Sequence, residues 1–531
     1  MALLLGALAA QGLTAIRTQS PTADEFSHHV ASGYSYWKTG DFRMNPASPP
    51  LPRLLVSFPL LFLNAKAPLD HPSWEAGDSP EFARQFFYVA NNRADEFIFW
   101  ARVPVLCLSV LFALCVYAWA AALAGPVAGL AALTWYVFCP DILAHSSLAT
   151  ADLAVSFFFL LALIAFWGYL RTDQGRRLAL CAFLTGLAFL SKFSAVLLGP
   201  IFLILLIVSG RLRFFTPARA ALFAGVFLVT VWAGYGFELK PLLKDTPDPA
   251  KKAAVFEKIG GKPLVQFAET APVPLSTFTS GFVSMMVTRS QGTNAFFHGE
   301  WSDAKKGWWC YYFTAFFLKN TLPFLTCLVA AFAVFRRLGF DQLTRWVLLV
   351  PPALFFLVTL GDKAQAGIRY FLPAYPLFFV LAGALIAEFW KRTKILKVLC
   401  AALLLWHAGE ALVVSPHYLA YFNELIGGPA NGYKWLRDSN LDWGQDLKGL
   451  ARLVKEKNYG RIALHYHWPA SPDYYSIDSR PIEEGEAVTP RSDVYALSVH
   501  VLDHYAWTKN LKPTEQIGYS TFLYDLRDKT S

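Results

Sequence analysis

Two adjacent carboxylates, Asp24 and Glu25, stand directly after the first apolar run, in Pro21-Thr22-Ala23-Asp24-Glu25-Phe26-Ser27-His28-His29. Gly40-Asp41-Phe42 and Ser48-Pro49-Pro50-Leu51-Pro52 follow closely. A carboxylate at a membrane surface can take the proton of a substrate hydroxyl, the work of a general base. The same spacing has a structural reading: Thr22 with Glu25 three residues on is a capping box, and acids in a first turn favour the helix dipole. Capping accounts for Glu25 in full and for Asp24 only in part. His28 and His29 are metal-ligating types, but a pair without a second cluster is the pattern of a solvated helix face.

Cations where hydropathy disfavours them are the second signal. Lys319 lies inside the apolar run 309–335, where an unpaired charge costs about 3 kcal/mol. Lys192 interrupts the apolar stretch 178–209, Arg369 sits at the end of another, and Arg53 lies beside the Pro-Pro-Leu motif. Cations at a membrane boundary suit an anionic group such as a lipid phosphate, and equally suit snorkelling to head groups or ordinary ion pairs. Asp152, two residues after Thr150, reads as a helix-start residue or a second active-site acid. Trp301, Trp308, Trp309, Tyr311 and Tyr312 suit stacking on a sugar ring or an interfacial belt. His465 and His467 alternate on a strand-like run and read as surface or core residues.

The elements that must position these groups are membrane helices. The chain has 531 residues, 55% hydrophobic and only 16% charged, against about 25% charged for a soluble domain. Apolar runs recur to Val414 and then stop. The net charge of +9 sits in short clusters between those runs rather than in a stripe, which argues for topology and against nucleic acid. The seven cysteines lie in or beside apolar segments and suggest neither a disulfide framework nor a metal site.

The basic clusters at 171–177, 211–219, 336–345 and 391–397 are expected on the cytoplasmic side. Two cytoplasmic ends make 178–209 a hairpin with Lys192 at its apex, each arm about 14 residues and roughly 21 Å long. Spans are expected near 1–16, 101–123, 126–142, 152–170, 178–190, 194–209, 218–236, 309–335, 346–360, 370–390 and 395–414. The total is about eleven, in a range of eleven to thirteen. The first run also has the rival reading of a signal peptide ending at Ala7-Leu8-Ala9. Residues 17–98, 237–308 and the tail 415–531 then face outward. Within the tail, 447–456 reads as helix and 462–465 and 494–501 as strands, a small external α+β domain following the membrane domain 1–414.

With those segments laid out, the order of an Asp-Glu pair, a Gly-Asp turn and a Pro-Pro-Leu motif resembles the GT-C superfamily of lipid-dependent glycosyltransferases. The nearer likeness is to its protein-O-mannosyltransferase and aminoarabinose-transferase-like family, glycosyltransferase family 39-like. His145-Ser-Ser-Leu-Ala-Thr-Ala-Asp152, Gly186 to Ala195, Lys319-Asn-Thr-Leu-Pro323 and Gly367 to Pro373 fall in the family's order. The tail motif Asp438 to Leu450 (DSNLDWGQDLKGL) resembles a poorly characterised bacterial branch.

The resemblance implies a GT-C fold and an inverting transfer of a sugar from a polyprenyl-phosphate donor to an acceptor hydroxyl. Asp24 would be the base, with Glu25 in reserve and Asp152 a second acid. Lys192, Lys319, Arg369 and Arg53 would receive the donor phosphate. Such a reaction expels a stable phosphate anion, so it needs cations where a glycosidase needs an acid. A divalent cation, magnesium or manganese, is a possible assistant, with metal ligands unassigned. The acceptor, whether protein, lipid or glycan, is not named by any motif. The expected setting is the inner (plasma) membrane, with active site and C-terminus periplasmic or extracellular. The competing classes are a transporter or lipid-carrier flippase, which should show inverted repeats and broken helices, and a binding protein in which Asp24 is only a cap.

Overall fold

The computed structural model describes residues 1–244, 249–303 and 306–527. Every expected span is helical. Six helices are long and apolar enough to cross a membrane: Ala94–Ala124, Asp152–Thr172, Pro217–Gly234, Gln342–Thr359, Ile368–Trp390 and Lys394–Val414. Two more candidates are bent pairs, Pro126–Val137 with Pro140–Ser146 (66°) and Tyr311–Lys319 with Leu322–Ala333 (114°). The other expected passes are the shorter helices Ala2–Thr18, Gly175–Ser191 and Phe193–Val208. The chain is therefore a multi-pass helical membrane protein.

The run 309–335 is not the single straight span its hydropathy suggested. Asn320 and Thr321 are extended, and Pro323 opens the next helix, where its missing N–H leaves no intrahelical bond unmade. Lys319 stands at that elbow. The apolar stretch around Lys192 does break as a hairpin requires: Lys192 is extended between its two helices.

Ile368–Trp390 is the centre of the bundle, whereas Pro217–Gly234 turns nearly all its surface outward. The central helix lies close to Pro126–Val137 because Gly383 faces that neighbour. A Cβ on Gly383 would sit 2.5 Å from the Ala128 carbonyl oxygen. Gly383→Leu therefore forces the helices apart and is expected to lower the melting temperature of the detergent-solubilised protein by several degrees, a loss of about 1–3 kcal/mol.

At one end of the bundle the basic connections meet. Arg171 pairs with Asp341, Arg219 donates to the Asp173 carbonyl, and Arg345 donates to that of Arg336. At the other end segment 17–98, the loop after Gly234 and the C-terminal residues interlock, as Tyr475 to Asp95 and Trp301 to Asp503 show. The charge pattern had assigned these segments to opposite faces.

The C-terminal sheet runs in the order Ser479–Arg480, Ile462–His465, Val494–Ser498, Thr521–Asp525, Glu515–Ile517. Ile462–His465 pairs in parallel with its two neighbours and the other pairs are antiparallel. Leu447, Leu450 and Val454 form the apolar face of helix Leu447–Glu456 and pack on Ile462, Val494 and Leu523. The strand expected over 494–501 stops at Ser498, whose hydroxyl accepts the His500 N–H and starts a 3₁₀ turn. Residues 418–443 contribute Tyr418, Phe422, Leu441 and Trp443 to the core of the membrane bundle itself.

Candidate functional site

Asp24 precedes a π-helical turn, Glu25–Val30, and makes no capping hydrogen bond with its side chain. Its carboxylate instead accepts from Arg369 Nη1 at 2.9 Å. The same nitrogen lies 3.7 Å from Asp152 Oδ2, and the other Asp152 oxygen accepts from Lys192 Nζ at 2.6 Å. Four charged groups from four distant parts of the chain thus form one line, Asp24–Arg369–Asp152–Lys192. Asp24 and Lys192 keep 26% and 22% of their side chains exposed, while Asp152 keeps 3%. The two ends of the line are thus open to the surroundings, and Asp152 braces its middle.

Tyr370 gathers three cations. Lys192 Nζ lies 4.3 Å from its ring centroid, and the guanidinium carbons of Arg369 and Arg289 lie 5.4 Å and 5.5 Å away. Arg289 comes from helix Ser276–Gln291 and is anchored to Asp362. Cations spaced around one aromatic face make a cradle for a multiply charged oxyanion.

Burial pushes the Asp24 carboxyl upward, but attraction to Arg369, with smaller contributions from His28 and His29, outweighs it and holds the group below the ordinary value of 3.8. Asp24 is therefore ionised at neutral pH, as a proton acceptor must be. His28 is lowered by burial, reinforced by Arg53 and Arg369 and opposed by Asp24. Its ring, one turn on from Asp24, lines a cavity of about 480 Å³ with Arg43, Asn45, Glu75 and Ser79.

Three of the expected site residues are placed otherwise. Glu25 is buried with Arg102, whose Nε and Nη2 each reach it at 2.7 Å, and it accepts from the Thr22 and Ala149 N–H groups. That carboxylate is saturated, so the reserve-base expectation gives way to a structural role, which includes the Thr22 arm of the capping box. Lys319 is 0% exposed and donates at 2.7 Å to the carbonyls of Leu419 and Asn440. Arg53 donates to the carbonyls of His28, Ser48 and Pro49. Arg53 is spent on backbone oxygens, Lys319 on backbone oxygens and the buried Asp141 carboxylate at 3.9 Å, and both lie outside the Tyr370 cradle.

Arg289, Tyr370, Asp438 and Trp443 were not anticipated as site residues. Nothing local marks Arg289, which lies near the end of helix Ser276–Gln291 in the segment 237–308. Among the described residues no cluster of three or more His, Cys, Asp or Glu is arranged to hold a metal. Asp24 and Asp152 share a guanidinium between them, a donor set that does not fit a divalent cation, and the mechanism below uses none.

Residues 83–235 match the family model described as dolichyl-phosphate-mannose-protein mannosyltransferase. No curated protein matches the chain by sequence. Among solved structures, the chain is similar to ArnT from Cupriavidus metallidurans in two states. The apo form is matched with a TM-score of 0.52 at 10% identity, covering 98% of this chain and 97% of that one. The form bound to undecaprenyl phosphate is matched with a TM-score of 0.50 at 11% identity over the same shares. Identity this low speaks to fold, and the fold is shared from end to end. The likeness is one of fold, shared with these ArnT structures along nearly the whole of both chains.

Proposed function

We propose that the protein transfers a sugar from a polyprenyl-phosphate donor to an acceptor hydroxyl at the outer face of the plasma membrane. The observation that carries this reading is a partly exposed, ionised carboxylate tied through one guanidinium to a three-cation cradle. Asp24 takes the acceptor proton as the acceptor oxygen bonds to the anomeric carbon. The carbon–oxygen bond to phosphate breaks on the opposite face, and configuration inverts. The departing polyprenyl phosphate carries the electron pair away as an anion, met by Lys192, Arg289 and Arg369. Because these side chains and Asp24 are already placed by other bonds, little reorganisation is needed at the moment of transfer.

An apolar crevice of about 470 Å³, lined by Phe166, Phe189, Val196, Leu203, Phe223 and Phe227, opens between the helices that flank Lys192. It suits a prenyl tail whose phosphate rests at Lys192. The family resemblance over residues 83–235, and the lipid phosphate carried by one ArnT structure, support the same donor class. A transporter would also contain broken helices, but the elbow at Lys319 is closed by the Leu419 and Asn440 carbonyls.

Lys192→Ala and Arg289→Ala test the cradle. Each removes a charge-assisted contact of about 1.5–3 kcal/mol, so KM for a labelled polyprenyl-phosphate sugar in a membrane assay is expected to rise about 10–100-fold. Lys319→Met should instead lower thermal stability. Unchanged donor dependence in both alanine variants would remove the cradle from the reading.

A further inference from the structure

The pair at the centre of the site is held by a segment far along the chain, Arg437 to Asp446. Trp443 is 2% exposed, and its ring lies 4.3 Å from the guanidinium carbon of Arg369. The carbonyl of the same residue accepts the N–H of Ala23, the residue before Asp24, at 3.0 Å. Trp443 therefore touches Arg369 itself and the residue that leads into Asp24. The Ser20 N–H donates to Gln445 at 2.9 Å, and its hydroxyl donates to the Gly444 carbonyl at 2.9 Å. On the Arg369 side, Asn440 Oδ1 accepts from the Ile368 N–H at 2.9 Å and the Ser439 hydroxyl donates to Ala366 at 2.6 Å. Gly367 permits this approach: its φ is +92°, and a Cβ there would fall 2.5 Å from Ser439 Oγ.

We propose that the segment Arg437 to Asp446 is a working part of the active site and that Trp443 is a positioning residue, its indole face holding the Arg369 guanidinium on Asp24. The consequence for transfer rests on the reading of Asp24 as base; the clamp itself does not. Arg369 has a choice of acids, Asp24 at 2.9 Å and Asp152 at 3.7 Å. Its Nε is committed to the Ala366 carbonyl, so rotation of the fork decides which acid it serves. Trp443 covers one approach to the guanidinium and Tyr370, 5.4 Å off, stands at another. An aromatic face attracts a guanidinium and admits it in one plane.

The groups facing Asp24 are His28 and His29 from its own helix, Arg53, and Arg369 and Asp438 from the packed segments. Arg369 gives the largest stabilisation of the carboxylate. Loosening it raises the proton affinity of Asp24, whereas a loss of packing that admits water lowers it, because burial pushes the carboxyl upward.

The experiment compares Trp443→Phe with Trp443→Leu in the full-length detergent-solubilised protein. Leucine keeps apolar bulk and phenylalanine keeps a ring face, so either can pack. The first readout is the pH midpoint at which a water-soluble carbodiimide labels Asp24, followed by peptide mass spectrometry, with the exposed Glu75 as the internal reference. Trp443→Leu is expected to raise the Asp24 midpoint by about one pH unit, a tenfold change in proton affinity, with Glu75 unmoved; Trp443→Phe stays near wild type. The second readout is sugar transfer, expected to fall about tenfold or more in kcat for the leucine variant with KM for the donor little changed. A leucine variant with the wild-type midpoint, or a phenylalanine variant shifted as far as leucine, overturns the clamp. Full transfer by Asp24→Asn would instead overturn the reading of the base, and the labelling midpoints would still decide the clamp.

Discussion

Asp24→Asn is expected to lower sugar transfer by about 10²–10⁴-fold while the protein stays folded, as read in a membrane assay with a labelled polyprenyl-phosphate sugar beside a thermal-shift control. Asparagine is nearly isosteric and keeps an oxygen for Arg369 Nη1 to donate to, so the geometry of the charged line survives. The capacity to take a proton at neutral pH does not. Little structural depends on this carboxylate: it caps no helix, is partly open to solvent, and its loss leaves Arg369 with Asp152 as counter-ion. A catalytic loss would therefore stand apart from a folding loss. Transfer at the wild-type rate would sink the assignment.

The same group fixes the sign of the pH dependence. Asp24 has its folded-state pKa depressed, chiefly because Arg369 overcomes the cost of burial. Its active, ionised form persists as pH falls through the usual carboxylate value of 3.8 and is lost only below it. The acid limb of kcat/KM is expected below pH 3.8. Arg369→Gln should move that limb upward, toward the range of an ordinary carboxylate. A limb that stays in place after Arg369→Gln would show that some other group titrates.

Much of this was legible in the residues. Hydropathy and basic clusters marked the six long apolar helices and the two bent pairs, because a bilayer demands apolar length and the clusters gather at one end of the bundle. The extended break at Lys192 followed from two basic ends flanking one apolar run. Asp24, Asp152, Lys192 and Arg369 were each singled out, and they meet in space. Sequence could not separate them from Lys319 and Arg53, since hydropathy registers that a charge is buried but not what neutralises it. For Lys319 the partners are the Asp141 carboxylate at 3.9 Å and carbonyls 100 and 121 residues later in the chain. Spacing likewise could not show that DSNLDWGQDLKGL, inside the tail expected as a separate domain from residue 415, folds back onto Ser20 and Ala23. Long-range backbone pairing of this kind leaves no local period.

The neighbouring acid behaves in the opposite way from Asp24. Arg102→Ala, or Glu25→Ala, is expected to destabilise the protein by about 3–5 kcal/mol, because either change strands its partner as an uncompensated buried charge. Both side chains are 0% exposed. The five N–H donors of Arg102 are all used, two on Glu25 and one each on the carbonyls of Ile16, Gln19 and Ser20. Those carbonyls end the first helix and begin the strap that leads to Asp24, so Arg102 fastens that strap to helix Ala94–Ala124. Replacing both partners by methionine should recover only part of the loss. The buried charge vanishes, yet the three carbonyls and the Thr22 and Ala149 N–H groups are left without partners, each at about 1–3 kcal/mol. Thermal unfolding of the single and double variants closes a double-mutant cycle. Glu25 also has its folded pKa lowered: burial raises it, and Arg102 with the backbone donors lowers it further. Its contribution is thus present above the ordinary value of 4.5 and lost as pH falls through the depressed one. If Glu25→Ala were as stable as wild type but inactive, Glu25 rather than Asp24 would be the candidate base, and the strap argument would fail.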